Sequence, residues 1–307
     1  MPQCAVVSKT VSSHYSGRNR ITLVRSLGIG ALLAIAVSSI SQTTSVFINF
    51  GPVLHGVGTG IVLAFLIGGV SAILNSLIYA ELSNAIPVSG GAYAIALRVF
   101  GRPIGLVTAF LCLLIGLGSA PSLILGIAGY LQSFFPGVNE QVYTVAVALL
   151  ATMMALMRIH SASWLTAAMV IIEFLIILGI TLISFFHFVH PMSFVLHRYA
   201  ITSSGIGHSL GSTILFSMIG VTLFSFSGYE MSQNFAEKTM NVRRVLVKTI
   251  LVSAIIAVVV ETAAVLGLLL AAENIGSVYS AEVSSTAFVQ SIHMRDDCLR
   301  WCTRRDF

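Results

Sequence analysis

The fold class that this sequence predicts is an all-α polytopic membrane protein, on three observations. Of its 307 residues, 56% are apolar and only 9% are charged, where a soluble domain carries about a quarter charged residues. The mean hydropathy is +0.95, so the inventory cannot cover a water-facing surface. The apolar runs exceed the roughly 18 residues that mark a spanning helix, whereas membrane β-barrels alternate apolar and polar residues in short segments. Soluble enzymes, nucleic-acid binders and disordered chains are disfavoured despite the formal charge of +5. Cys4, Cys112, Cys298 and Cys302 form no spaced framework for disulfides or zinc.

In chain order, residues 1–26 are polar and basic and form an N-terminal segment without an apolar stretch. Seven spans follow, at about 27–49, 57–80, 103–131, 142–159, 163–189, 208–230 and 247–271. A cleavable signal peptide is not expected, because the first apolar run is too long and no small-residue cleavage site follows it. With the N-terminus inside, eleven basic residues fall on one side: Lys9, Arg18, Arg20, Arg25, Arg98, Arg102, Arg158, Lys238, Arg243, Arg244 and Lys248. Only Arg198 lies in the loops of the other side. Positive loops stay cytoplasmic, so we expect a multi-pass protein of the plasma (cell inner) membrane with a cytoplasmic N-terminus. Residues 272–307 form a loop and an atypical tail, with seven charges among the last fifteen residues. That shift of composition leads us to expect a truncated or frame-shifted reading frame; an ordinary solvated terminus is the alternative.

Polar interruptions at membrane depth are informative, because a spanning helix pairs all its backbone groups internally. The first span carries Ser38, Ser39, Ser41, Gln42, Thr43, Thr44 and Ser45 within residues 36–47. Hydroxyls and an amide there can satisfy unwound backbone or bind a polar ligand; helix–helix contact is the competing explanation. The sixth span ends Phe224-Ser-Phe226-Ser227-Gly228-Tyr-Glu230, aromatic walls mixed with small residues that let a helix open. Transporters build sites from two such interrupted helices in corresponding positions of two repeats.

Glu173, Glu230 and Glu261 lie inside or at the edge of spans. A charge at the bilayer centre costs at least ~2.5–3.5 kcal/mol, so each faces a cavity, finds a partner or carries a proton. A glutamate in such a place can load and release a proton near neutral pH. Glu230 directly follows the interruption and is the first choice for coupling or gating, with pairing to Lys238 or Arg243 as the alternative. Glu173 is second. Glu261 has no motif beside it and reads as a structural carboxyl.

Between the second and third spans, Tyr79-Ala-Glu81 to Pro87-Val-Ser-Gly90-Gly91-Ala-Tyr93 forces a turn that no continuous helix allows. It reads as a rigid intracellular elbow, able to serve as hinge or inner gate, with Glu81 placed to pair with loop arginines. His187, His190 and His197 read as interfacial rather than metal-binding, and His293, Cys298 and Cys302 lack zinc spacing. Gly28-Ile-Gly30 opens a spanning helix rather than following a strand, so it is no dinucleotide fingerprint. No nucleophile elbow, phosphate loop or metalloprotease motif appears, and enzyme activity is not expected.

The elbow Tyr79–Tyr93 resembles the signature of amino acid–polyamine–organocation (APC) permeases. Phe224–Glu230, with the amphipathic stretch Glu237–Arg244, is similar to that family's sixth helix and the loop after it, and Ile-Ile-Glu173-Phe is similar to the amino acid/choline branch. The resemblance covers about residues 20 to 290. It implies a leucine-transporter-type fold, an inverted repeat of five plus five helices, usually with twelve in all. About seven are present here: a first repeat at 27–189 and a partial second at 208–271 within a permease domain of 27–271.

The resemblance further implies that Thr43, Thr44 and Ser45 offer backbone amides to a carboxylate. The carbonyls of Ser41, Phe224 and Ser227 would meet an ammonium, Phe224 would form an aromatic lid, and Gln42, Phe226 and Gly228 would line the same place. The family commonly has Gly-Ser-Gly where this chain has Thr43-Thr44-Ser45, which keeps amines, choline-like cations and ω-amino acids open beside α-amino acids. The expected function is secondary transport of amino acids or related amines, proton-coupled, without a cofactor and inactive if truncated. A non-transporting remnant or regulatory membrane protein is the alternative. The expected partners are a small amine or amino acid and the lipid bilayer, with no nucleic acid; a homo-oligomer is compatible.

Overall fold

In a computed structural model the described residues are 27–135, 137–156, 159–196, 198–202, 205–272 and 275–280. The N-terminal segment, His197, Arg158 and the charged tail lie outside them. The helices are α1 (Ile29–Ile40), α2 (Gln42–Val57), α3 (Ile61–Ala85), α4 (Gly91–Phe100), α5 (Arg102–Phe134) and α6 (Glu140–Ala155). Then come α7 (Ile159–Phe186), α8 (Ser193–Leu196), α9 (Ile219–Ser225), α10 (Val242–Ala271) and α11 (Ile275–Ser280). Tighter 3₁₀ turns occupy Gly58–Gly60, Ser212–Met218 and Tyr229–Lys238.

The protein is a helical multi-pass membrane protein. Among the described residues five stretches are long and apolar enough to cross a bilayer: Ile29–Ala85, Arg102–Phe134, Ala168–Phe186, Ser212–Lys238 and Val242–Ala271. Seven expected spans become five by this measure for two reasons. The Gly58–Gly60 turn joins the first two into one stretch, and α6 has only 16 residues. The first stretch nonetheless doubles back. Leu27 adjoins Thr239, Gly60 approaches Leu215, and Tyr79 meets Tyr229 edge-on at 6.3 Å. Thus α1–α2 and α3 run in opposite directions against the 212–238 segment.

The core sits around α10. Its buried stripe Leu246, Ile250, Ala254, Ala257, Glu261, Ala264 and Leu268 recurs every three to four residues, the spacing of one helix face. Small residues along it let neighbours approach closely. By contrast α5 is apolar yet almost wholly exposed, a surface suited to lipid. The sequence reading missed a short antiparallel pair, β1 (Tyr199–Thr202) and β2 (Gly205–Ser209), with Ile201 opposite Ile206. Its strands of four and five residues carry too little alternation to signal themselves.

Candidate functional site

The first span breaks at one residue. Ser41 adopts a left-handed conformation (φ 52°, ψ 71°) and α2 restarts at Gln42. A non-glycine residue in this region costs roughly 1–2 kcal/mol, and side chains hold it there. Ser41 Oγ donates to Glu173 Oε1 at 3.2 Å and shares a hydroxyl–hydroxyl hydrogen bond with Thr44 Oγ1 at 2.9 Å. The same Glu173 oxygen accepts from the Thr43 N–H at 2.9 Å and from Thr43 Oγ1 at 2.8 Å. Glu173, from the middle of α7, therefore caps the first turn of α2. The first four N–H groups of a helix have no partner within it, and a negative charge is favoured there.

The sixth span breaks at residues 226–228. Helix α9 ends at Ser225, Gly228 takes φ 128°, and a 3₁₀ turn follows from Tyr229. Glycine is required here twice over. The φ value disfavours any side chain, and a Cβ would sit 2.6 Å from the Ser39 carbonyl carbon and oxygen and 2.7 Å from Ile40 N.

The two breaks touch. Ser45 Oγ donates to the Ser225 carbonyl at 2.7 Å, and Asn49 Nδ2 donates to Ser225 Oγ at 2.7 Å. Ser45 and Asn49 stand four residues apart on one face of α2, so both reach the same partner. Neither Asn49 nor Ser225 was selected from the sequence. The i, i+4 spacing of polar residues in an apolar helix was the signal for the first.

The other residues singled out from the sequence distribute as follows. Gln42 is wholly buried, with neither end of its side-chain amide hydrogen-bonded. The Ser41 carbonyl accepts from Ser45 N, and the Phe224 carbonyl accepts from Ser227 N at 3.0 Å. The Ser41 carbonyl keeps a second lone pair for a ligand, whereas the Phe224 carbonyl also accepts from Phe226 N. Phe226 is the aromatic buried at the break, packed edge-on to Phe65 at 5.8 Å, whereas Phe224 is 52% exposed. Glu230 Oε2 accepts from Gly228 N at 2.9 Å and so braces the break; no ion pair joins it to Lys238 or Arg243 among the described residues. Glu261, read from the sequence as structural, is wholly buried with both oxygens unpartnered. Its place in the buried stripe of α10, four residues after Ala257, was legible but overlooked.

The elbow closes on the segment beyond the sixth span. Gly90 and Gly91 both have positive φ and turn the chain into α4. Ser89 N donates to Glu237 Oε1 at 3.4 Å, and Glu237 N donates to Ser89 Oγ at 3.2 Å. Leu27 N donates to the Lys238 carbonyl, and Met240 N to the Leu27 carbonyl, so the start of the first span is laced to the same segment. Pro87 shares a cavity of about 470 Å³ with Asn241, Val242, Arg243 and Arg244. Glu81 is exposed, without an ion pair among the described residues. Tyr93 is 37% exposed on α4. Elsewhere His190 Nε2 lies 3.0 Å from the Ala272 carbonyl, with its ring stacked on Phe194 at 4.5 Å.

Residues 27–293 match the model of the amino acid permease family, a span that holds both breaks and the elbow. The chain belongs to the amino acid permease family. That makes it a member of a transporter family of the APC superfamily. It is similar to the branched-chain amino acid permease BcaP of Bacillus subtilis, 22% identical over 251 residues, 75% of this chain and 50% of that one. It is similar to the Asc-type amino acid transporter 1 of Mus musculus, 29% identical over 244 residues, 76% of this chain and 45% of that one. Cationic amino acid transporter 9, chloroplastic, of Arabidopsis thaliana is 41% identical over 91 residues, 29% of this chain and 15% of that one. The chain thus spans half or less of the length of these curated relatives.

Proposed function

We propose that this chain binds and moves amino acids or related amines across a membrane by secondary active transport, driven by a cation gradient, a proton gradient in the first instance. One observation carries the reading: two interrupted helices meet at mid-span, with helix-end N–H groups, the Ser41 carbonyl and an unpartnered buried glutamine around the junction. A small zwitterion or ammonium needs those groups, and a continuous helix cannot offer them. The names of the relatives, all amino acid transporters or permeases, support the same substrate class.

In this reading residues 27–271 form the permease unit, with 27–189 and 208–271 as its related parts. Glu230 and Glu173 couple ion movement to the breaks, and the elbow acts as an inner gate. No cofactor takes part. The charge bias of the loops supports a cytoplasmic N-terminus in the plasma membrane.

The test is uptake and binding of labelled L-leucine, L-arginine, L-alanine and their decarboxylated amines by the chain in proteoliposomes, with and without a proton gradient. Gradient-dependent accumulation, abolished in Glu230→Gln, is expected. Absence of both uptake and binding for every compound refutes the reading.

A further inference from the structure

The place where a carboxylate would bind already holds one. The Thr43 N–H lies in the first turn of a 16-residue helix, where it has no acceptor in that helix. Glu173 Oε1 takes this N–H, and the Thr43 and Ser41 hydroxyls converge on the same oxygen. Backbone N–H groups at a helix start form an anion site, and here the protein supplies the anion. The neighbouring Gln42, wholly buried with both ends of its amide unpartnered, leaves polar groups at the same spot that no side chain meets.

We infer that Glu173 and the carboxylate of the substrate compete for the Thr43 amide, and that protonation of Glu173 releases it, so that a proton and a carboxylate-bearing substrate enter together. The inference rests on the permease reading above and names what that site selects. Two carboxylates cannot share one N–H a few ångströms apart, and charge-assisted hydrogen bonds are roughly twice as strong as neutral ones. The ionised Glu173 therefore holds the amide against a substrate, and the neutral acid yields it. In the exchange Glu173 gains one proton, taken from solvent. The amide keeps its hydrogen, and its bond passes from Glu173 Oε1 to an oxygen of the substrate. Release reverses both changes.

The surroundings of Glu173 suit such a switch. Helices α7 and α10 run in parallel: a Cβ on Gly267 would touch Ser184 at 2.9 Å, and Val189 N reaches the Leu270 carbonyl. By that register Glu261 stands level with Leu178, roughly 7 Å along the axis from Glu173 at ~1.5 Å per residue. Of the helices packed on α7, α1 carries no titratable group and α2 carries only His55, stacked on Tyr279 at its far end. Helix α10 adds Arg243, Arg244 and Lys248 in its first two turns, far below this level. No cation on these helices lies level with Glu173.

The test uses the full chain in nanodiscs and two readouts. The first counts protons taken up per ligand bound, near pH 7 in weak buffer, for L-arginine and L-leucine against agmatine and isopentylamine, which lack the carboxylate. Wild type should take up about one proton per amino acid bound and none per amine, and Glu173→Gln none with either. The second readout follows hydrogen exchange of residues 42–46 without ligand, corrected for intrinsic rate. Protection should fall about tenfold as Glu173 is protonated on lowering the pH in wild type and stay low and flat in Glu173→Gln. Uptake that persists in Glu173→Gln, equal uptake with the amines, or flat protection in wild type overturns the inference. If no compound binds, the permease reading fails, and the exchange readout alone still decides whether Glu173 is a proton-operated plug.

Discussion

Replacing Gly228 with alanine tests whether the meeting of the two broken helices organises this protein. Two costs add. A side chain at φ 128° is strained by about 1–3 kcal/mol. The new Cβ would lie 2.6 Å from the Ser39 carbonyl, so the backbone must part by several tenths of an ångström, an overpacking cost of about 1–3 kcal/mol. Gly228→Ala should therefore destabilise the fold by about 2–6 kcal/mol. Gly220→Ala is the internal control. It lies in α9, eight residues earlier, and a Cβ there meets nothing within 4 Å. Helix propensity alone should leave it neutral or more stable by up to about 1 kcal/mol. Reversible unfolding in bicelles, read by steric trapping, measures both variants. A difference below about 1 kcal/mol between them would show that the breaks do not press on one another, and would refute the reasoning from the junction.

Further outcomes follow from single contacts. Ser45→Ala removes the 2.7 Å bond to the buried Ser225 carbonyl and should cost about 1 kcal/mol, non-additively with Asn49→Leu in a double-mutant cycle. Additive losses would show that the two side chains do not act through Ser225 together. Glu261→Leu should raise stability by about 1–3 kcal/mol, because both carboxyl oxygens are buried without a partner; a loss would reveal a partner that the fold hides. The Ser89–Glu237 pair is exposed, so its coupling energy should stay below about 1 kcal/mol. Faster proteolysis of the elbow in Glu237→Ala, with thermal stability unchanged, would be consistent with a latch that opens at low cost.

Much of the site was legible because its residues break local rules. Seven polar residues in twelve, a Phe-Ser-Phe-Ser-Gly run and a Pro-Val-Ser-Gly-Gly elbow are each anomalous in an apolar chain. Each marks a place where a helix stops. Partners were another matter. That Glu173 caps α2 depends on a contact 130 residues apart in sequence, and the 176-residue separation of Asn49 and Ser225 is equally silent. The β-pair was missed because strands of four and five residues lack a readable period.

Composition and hydropathy period by themselves determined that this chain crosses a bilayer in helices and where those helices are interrupted, because lipid forces every segment to satisfy its own backbone. The tertiary structure decided which interruptions face one another, that Gly228 has no room for a side chain, and that a carboxyl from α7 rather than a glycine-rich loop meets the opened end of α2. Those are facts of distance between remote segments, set by how the helix faces pack, and no local pattern in the chain encodes them.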